Sequence, residues 1–441
     1  MTEYLRELVA AQKRGDAVGI TSICSANNFV ISAALEYARK RNRSVCIEST
    51  GRQVNQYGGY SGLQPNEFAQ YVRQISEEMK LGEDQVILGG DHLGPGIWRF
   101  ENSEVSMSKA RELIRHCVRA GYRKLHLDPS MPCKDDMYKG HPDLSLKTIA
   151  ERTVSLCETA EEAAADMRSG NKTQLVYVVG AEVPTPGGVR KDKGEIPVSS
   201  TRDVEETISI MHSVFIEKGL ESAWNRCIAL VVETGATFGP ESVCDYDSKK
   251  TEDIKSLIEG EKNIVFEAHS TDFQTQQSLT NMVRDHFAIL KAGPCLTFAT
   301  REALYALSYI EREWLEGKQG VTLSRLPELM QELMSTDRKH WQNHYSGDEK
   351  YLRYITAFGF SDRVRYYWSD HRCSDAIVRL FQNLTKYGIP LPLLSQYMPT
   401  QYEAVREGRI QCTPDRLVYG KIEEILDRYA KACSGGVTAK C

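Results

Sequence analysis

The chain has 441 residues, 41% hydrophobic and 26% charged, and its 55 basic against 60 acidic side chains leave a formal charge of −5. Those proportions exclude a collagen-like, mucin-like or largely disordered chain, and a mild negative charge without a long basic run argues against a nucleic-acid partner. No apolar stretch approaches the roughly 20 residues that span a bilayer, and the start MTEYLRELVAAQKRGD is too charged for a signal peptide, so a cytoplasmic protein with no membrane partner is expected.

One pattern repeats through about the first 315 residues: a short apolar run, a polar or Gly-rich loop, then a segment of helical period. The apolar runs are Ala17–Cys24, Val45–Glu48, Gln85–Gly90, Lys124–Asp128, Gln174–Glu182, Ile228–Glu233, Asn263–His269 and Phe287–Gly293. They are rich in Val, Ile and Leu, as strands buried on both faces of a parallel sheet must be. Amphipathic stretches separate them, among them Phe29–Arg41, Glu67–Leu81, Met107–Ala120 and Leu146–Met167, then Val204–Lys218, Thr251–Glu259, Thr275–Asp285 and Arg301–Glu316. Eight such units predict an α/β fold, an eight-stranded (β/α)8 TIM barrel, over residues 1–318. No G-x-G-x-x-G or P-loop follows a strand, which weakens the open-sheet nucleotide-binding alternative. Residues 319–441 read as a helical extension packed on the barrel, with aromatic clusters and turns marked by Pro390, Pro392, Pro399 and Pro414.

The 12 cysteines form no C-x-x-C pair, and most sit in or beside apolar runs, where a free thiol acts as a small hydrophobe. Cys133, in the loop PSMPCKDD, is the one expected to reach solvent.

A β/α barrel builds its active site at the C-terminal ends of its strands. Read in order, those ends supply Ser49 and Arg52 after strand two, Asp91 and His92 on strand three, and Asp128 and Ser130 after strand four. Glu182 ends strand five, Glu233 strand six, His269, Asp272 and Gln274 strand seven, and Lys291 strand eight. Two imidazoles and a carboxylate from separate strands form the ligand set of a catalytic divalent metal, here His92, Glu233 and His269, with zinc first and Mn2+, Ni2+ or Co2+ as alternatives. Asp128 and Glu182 are either further ligands or acid/base groups, and Asp91 is placed to relay a proton beside His92. His126 is expected to face away from Asp128, and Glu267 to orient His269. Ser49, Arg52, Ser130, Asp272, Gln274 and Lys291 are candidates for substrate contact; a Schiff base on Lys291 is redundant beside a metal. In the extension, the run SDRVRYYW offers Arg363 and Arg365 to a phosphate or carboxylate, with only one of the two expected to face the site. The loop after strand two, with Tyr57-Gly58-Gly59-Tyr60, reads as a cover over the substrate.

The runs GGDHLGP, ESTGRQVNQYGG, SDRVRYYW and VETGATFG resemble, end to end, the Z-type subunit of D-tagatose-1,6-bisphosphate aldolase within the class II aldolase barrel group. The resemblance implies Asp91 as proton donor, His92 and His269 as metal ligands, Asp128 with Ser130 as the fourth-strand Asp-x-Ser, and Glu182 with Gly187 and Gly188 as the run after strand five. Two departures stand out. The G-T-x-H-G that supplies a second metal histidine on strand six reads ETGATFG, with Phe238 near the lost residue and Glu233 as the remaining candidate. The H-G-x-S-G phosphate cradle reads AHSTDFQ, and without those glycines backbone N–H groups close less readily around a phosphate. Both changes argue against bisphosphate cleavage by this chain alone.

Two functions follow from the resemblance. One is a metal-dependent enzyme acting at C3–C4 of a ketohexose or ketohexose phosphate, epimerising C4 between fructose and tagatose configurations by retro-aldol chemistry. The other is a non-catalytic partner that stabilises and activates a separate catalytic aldolase subunit. In either case a homo-oligomer is expected.

Overall fold

The computed structural model describes residues 2–136, 143–167, 174–183 and 196–435. Its strands are β1 (Ile20–Cys24), β2 (Val45–Thr50), β3 (Val86–Leu93), β4 (Lys124–Leu127), β5 (Val176–Val179) and β6 (Cys227–Val231). A short antiparallel pair, β7 (Thr237–Phe238) and β8 (Val243–Cys244), precedes β9 (Val265–Ala268) and β10 (Phe287–Ala292). All but that pair close into a parallel barrel in the order β1-β10-β9-β6-β5-β4-β3-β2, so the fold is the (β/α)8 barrel that the eight apolar runs predict.

The lumen is layered by the two-residue period of the strands. At the bottom, Ile20, Cys46, Ile87, Val176, Ile228, Val265 and Ile289 form an apolar floor, sealed by Leu5, Leu8 and Val9 of helix Thr2–Lys13. Two residues further along, the same faces of β2, β4, β9 and β10 carry Glu48, Lys124, Glu267 and Lys291. Gly89 leaves room for that charged layer, since a Cβ there would lie 2.8 Å from Glu48 Oε1. Gly94 is fixed just as tightly, because a Cβ would come within 1.9 Å of the Asp128 carbonyl oxygen.

Outside the sheet, helices such as Asn28–Arg41 begin at side-chain caps: Asn27 accepts from the N–H groups of Phe29 and Val30, which relieves orphaned donors of the first turn. Beyond the barrel the chain is helical, and helix Pro414–Ala432 lies against helices Asn28–Arg41, Gln276–Arg284 and Pro294–Leu315. Ion pairs Arg416–Glu36 at 2.6 Å and Lys40–Glu423 at 2.8 Å edge that contact. At its core Tyr429 donates its hydroxyl to the Thr271 carbonyl at 3.0 Å, in the loop after β9. Cys133 is fully buried, against expectation, because the loop that carries it folds back under Asp136, whose carboxylate accepts its N–H at 2.7 Å. The eleven cysteines among the described residues are all free thiols. No helix among the described residues is long and apolar enough to cross a membrane.

Candidate functional site

The charged layer of the lumen has no access to water and survives by internal pairing. Lys124 Nζ, wholly buried, lies 2.7 Å from Glu48 Oε1 and 2.5 Å from Glu267 Oε2. Lys291 binds the other oxygen of Glu48 and stands 3.0 Å from Asp91 Oδ1 and 3.6 Å from Glu267 Oε1. Burial would discharge each of these groups, but the opposite charges outweigh it. Both lysines are held as ammonium ions, with proton affinities raised, and Glu48, Asp91 and Glu267 are held below the usual carboxylate range. Lys291 is therefore no nucleophile, since a Schiff-base lysine needs its proton affinity lowered.

Above that layer stand three imidazoles. The ring centroids of His92, His126 and His269 are 5.1, 4.8 and 5.1 Å apart, taken as 92–126, 92–269 and 126–269. Each ring has its own carboxylate. His92 Nδ1 lies 2.8 Å from Asp128 Oδ2, His126 Nδ1 lies 2.9 Å from Asp91 Oδ1, and His269 Nε2 lies 3.0 Å from Glu267 Oε1. A ring nitrogen that donates to a carboxylate leaves the lone pair of the other nitrogen free, the usual second contact of a metal-bound histidine. His126 Nε2 is buried with no hydrogen-bond partner, while its Nδ1 meets both the Asp91 carboxylate at 2.9 Å and the His92 N–H at 3.2 Å. One ligand atom from each of Asp91, His92, His126 and His269 lies within 4.8 Å of the others. Burial lowers His269 to about 4, so it is neutral at pH 7 and able to coordinate. His92 is raised despite burial, by Asp91 and Asp128, a pull on a proton that a dication would equally satisfy. Nitrogen-rich and anionic, the donor set suits a borderline divalent ion of the zinc type. His92 reaches this position with φ at +47°, a left-handed backbone uncommon outside glycine.

The ligand grouping differs from the one the sequence predicts. His92 and His269 come together as expected, but their third imidazole is His126 and not a group from strand six. Residues two apart on a strand share a face, so Lys124 and His126 both point into the lumen. Asp128, just past the strand end, turns the same way, to His92 and to Ser130, whose hydroxyl it accepts at 2.5 Å. Glu233 stands apart, beside Glu182: Ser199 donates its hydroxyl to Glu182 and accepts the Glu233 N–H at 2.9 Å. Burial and the Glu182 charge push Glu233 up to about 7. Phe238 packs on Phe273 with centroids 5.2 Å apart. Gly187 and Gly188 lie outside the described residues.

A cavity of about 160 Å³ opens from the imidazoles to the surface, lined by Cys24, Asp91, His92, His269 and Lys291 at its base and by Arg52, Tyr60, Arg363, Arg365 and Tyr366 at its lip. Both arginines of the SDRVRYYW run reach it, against the expectation of one. Residues Arg363–Tyr367 form a tight 3-10 turn entered through Asp362 in a left-handed conformation, and from it both arginines are long enough to line the cavity. Ser49 does not reach it; with Glu48 inward, Ser49 faces outward and meets the Tyr122 hydroxyl at 2.7 Å. Gln274 is likewise structural, accepting the Tyr246 N–H at 2.8 Å and donating to the Cys244 carbonyl at 2.9 Å. Asp272 lines the cavity wall but spends one oxygen on two backbone N–H groups, those of Gly293 and Cys295. Glu48 and Lys124 carry no expectation in the sequence, and His126, expected to face away from Asp128, turns into the lumen with it; the signal is an ionisable side chain in phase within an apolar strand. In the covering loop, Tyr57 is exposed and Tyr60 packs edge-on to Tyr366 at 4.6 Å.

A family model described as D-tagatose-1,6-bisphosphate aldolase subunit GatZ/KbaZ-like matches residues 5–434. The chain is 35% identical to a protein of Sinorhizobium meliloti 1021 whose crystal structure is described as a probable tagatose 6 phosphate kinase, with a TM-score of 0.84 over 94% of this chain and 100% of that one. A fructose-bisphosphate aldolase from Campylobacter jejuni matches at 14% identity and a TM-score of 0.48, over 87% of this chain and 95% of that one.

Proposed function

The chain belongs to the D-tagatose-1,6-bisphosphate aldolase subunit GatZ/KbaZ-like family, which makes it aldolase-related, and from that premise we propose that it breaks and re-forms the C3–C4 bond of a ketohexose or ketohexose phosphate, exchanging C4 epimers. The observation that carries this reading is the cluster of three imidazoles, each backed by a carboxylate, two of which, His92 and His269, line one cavity with the Lys291 ammonium.

His92, His126 and His269 are the residues that would hold a divalent cation, zinc first, which when bound would supply Lewis-acid polarisation of the ketone and its neighbouring hydroxyl. Asp128, Asp91 and Glu267 fix the ring orientations and tautomers. Asp91 is kept ionised by His92, Lys291 and His126, and so can accept the proton of the C4 hydroxyl as C3–C4 parts. The bonding pair stays on the ketone fragment as an enediolate, and C4 becomes an aldehyde carbon. The Lys291 ammonium, 3.0 Å from Asp91, opposes the negative charge that develops on the enediolate. When the aldehyde presents its other face, C3 adds back, and Asp91 returns the proton to the C4 oxygen. Walls of buried side chains keep water from protonating the enediolate first.

The test is to incubate the purified chain alone with fructose, tagatose and their phosphates, and to separate the products while measuring bound metal. Epimer exchange without a partner supports the reading. A second reading draws on Tyr354 and Phe358, exposed aromatics that stack at 6.4 Å on the helical extension and suit a protein interface: the chain would stabilise a separate catalytic aldolase subunit. Activity that appears only when such a subunit is added overturns the first reading in favour of the second.

A further inference from the structure

We propose that Asp272 fills, from within the chain, the anion cradle at the barrel mouth, and that Arg52, Arg363 and Arg365 instead hold the phosphate of a ketose phosphomonoester. This deepens the retro-aldol reading by naming its substrate class, but it is tested by binding and not by turnover.

In β/α barrels the loops after the seventh and eighth strands, with a helix N-terminus, are a frequent phosphate site because unpaired N–H groups converge there. The corresponding donors here are the N–H groups of Gly293 and Cys295, at the end of β10 and the start of helix Pro294–Leu315. Both are already donated to Asp272 Oδ1, at 3.0 and 2.8 Å. The carboxylate thus occupies the position of a phosphate oxygen. The backbone is bent to deliver it: Ser270 and Phe273, on either side, have φ of +55° and +64°. A phosphate brought to this point would meet no free donor and a buried acid.

An excess of positive charge lines the same cavity. Among the described residues, the hydrogen bonds of Arg363 and Arg365 go to neutral oxygens: the carbonyls of His340, Ser361 and Asp362, and the Tyr366 hydroxyl. The Asp362 carboxylate is committed elsewhere, to Arg301 at 3.2 Å and Thr297 at 2.5 Å. Arg52 comes from the loop after β2, is exposed, and has no side-chain partner among the described residues. All three line one cavity and act on Tyr366. The guanidinium carbons of Arg363 and Arg365 stand 4.9 and 4.6 Å from the Tyr366 ring centre, and burial of that phenol is outweighed by Arg365, Arg363 and Arg52, which pull its proton affinity down. Backbone carbonyls hold two of the forks in place before any ligand arrives, so little ordering cost remains. Three cations in one cavity, against the carboxylates of Asp272 and Asp362 that act on Arg365, leave an excess of positive charge that suits a phosphate dianion better than a hydroxyl or a single carboxylate.

The experiment is calorimetric titration of the full chain with fructose, fructose 6-phosphate, fructose 1,6-bisphosphate and fructuronate. The monophosphate is expected to bind at least about tenfold more tightly than fructose and than the carboxylate sugar, with the second phosphate adding no more than about twofold. Arg52→Ala, at an exposed position, should cost about five- to tenfold for the monophosphate and nothing for fructose. Asp272→Gly frees the two N–H groups and should give the bisphosphate a new advantage of about tenfold over the monophosphate. If that variant does not fold, the Arg52→Ala comparison carries the test. Equal affinity for fructose and its 6-phosphate, no loss in Arg52→Ala, tighter binding of fructuronate, or a tenfold preference of the unmodified chain for the bisphosphate would each overturn the proposal. Tight phosphate-dependent binding without epimer exchange would instead sink the retro-aldol reading and leave this site standing.

Discussion

Three acids in the lumen of the barrel, Glu48, Asp91 and Glu267, and a fourth past the end of β6, Glu233, are shifted in opposite directions. Around β2, β3 and β9, Glu48, Asp91 and Glu267 are the more deeply buried, yet they are ionised, because Lys124 and Lys291 sit among them. Past the ends of β5 and β6, Glu182 and Glu233 share Ser199, no cation acts on Glu233 among the described residues, and its carboxyl is pushed up to about 7. Depth alone would give the reverse order. The charge of the neighbours, and not burial, therefore decides which acids are anions fit to orient imidazoles and which are weak acids near neutrality.

Several substitutions break or sharpen this contrast. Lys124→Met leaves Glu48 and Glu267 buried with one cation fewer, and is expected to cost about 3–5 kcal/mol by urea denaturation. His126→Ala should abolish metal binding, read by elemental analysis, and lower turnover at least about 100-fold, whereas Glu233→Gln should keep its full metal content. Loss of metal from Glu233→Gln with retention in His126→Ala would restore the ligand set expected from sequence. Smaller is the pH effect of Glu233. Between its ordinary 4.5 and about 7 the folded chain keeps a proton that the unfolded chain releases, so stability falls as pH rises through that window. Because the side chain is partly exposed, screening limits the fall to about 1–2 kcal/mol, and Glu233→Gln should remove it in denaturation compared at pH 5 and pH 8. Least of all, Glu182→Gln should change stability by no more than about 0.5 kcal/mol, as an exposed side chain would, while shifting the Glu233 titration downward.

The eight barrel strands are legible in sequence because both of their faces are buried, which leaves uninterrupted apolar runs bounded by polar loops. Much of the site is legible too, since His92, His269, Asp91 and Lys291 sit where strands end. The strand residues that differ from expectation share one cause, the strand phase inward of the strand ends. Lys124, His126 and Glu48 interrupt apolar strands at positions that face the lumen, while Ser49, one residue out of phase, faces the helices. The pairing of Glu233 with Glu182, and the turn from which Arg363 and Arg365 both line the cavity, depend on loop conformation, which has no periodicity to read.

The contact between Tyr429 and Thr271 links two ends of the story in time as well as in space. Thr271 adjoins Asp272 and also donates its hydroxyl to the Lys291 carbonyl at 2.5 Å, so the loop over the imidazoles and the strand bearing the ammonium are tied to a helix made some 140 residues later, counting from Lys291 to Tyr429. During synthesis the barrel strands emerge with all three imidazoles of the cluster in hand, but that loop lacks its anchor until the final helix docks. A chain cut short before that helix would carry all three imidazoles with the loop over them unanchored.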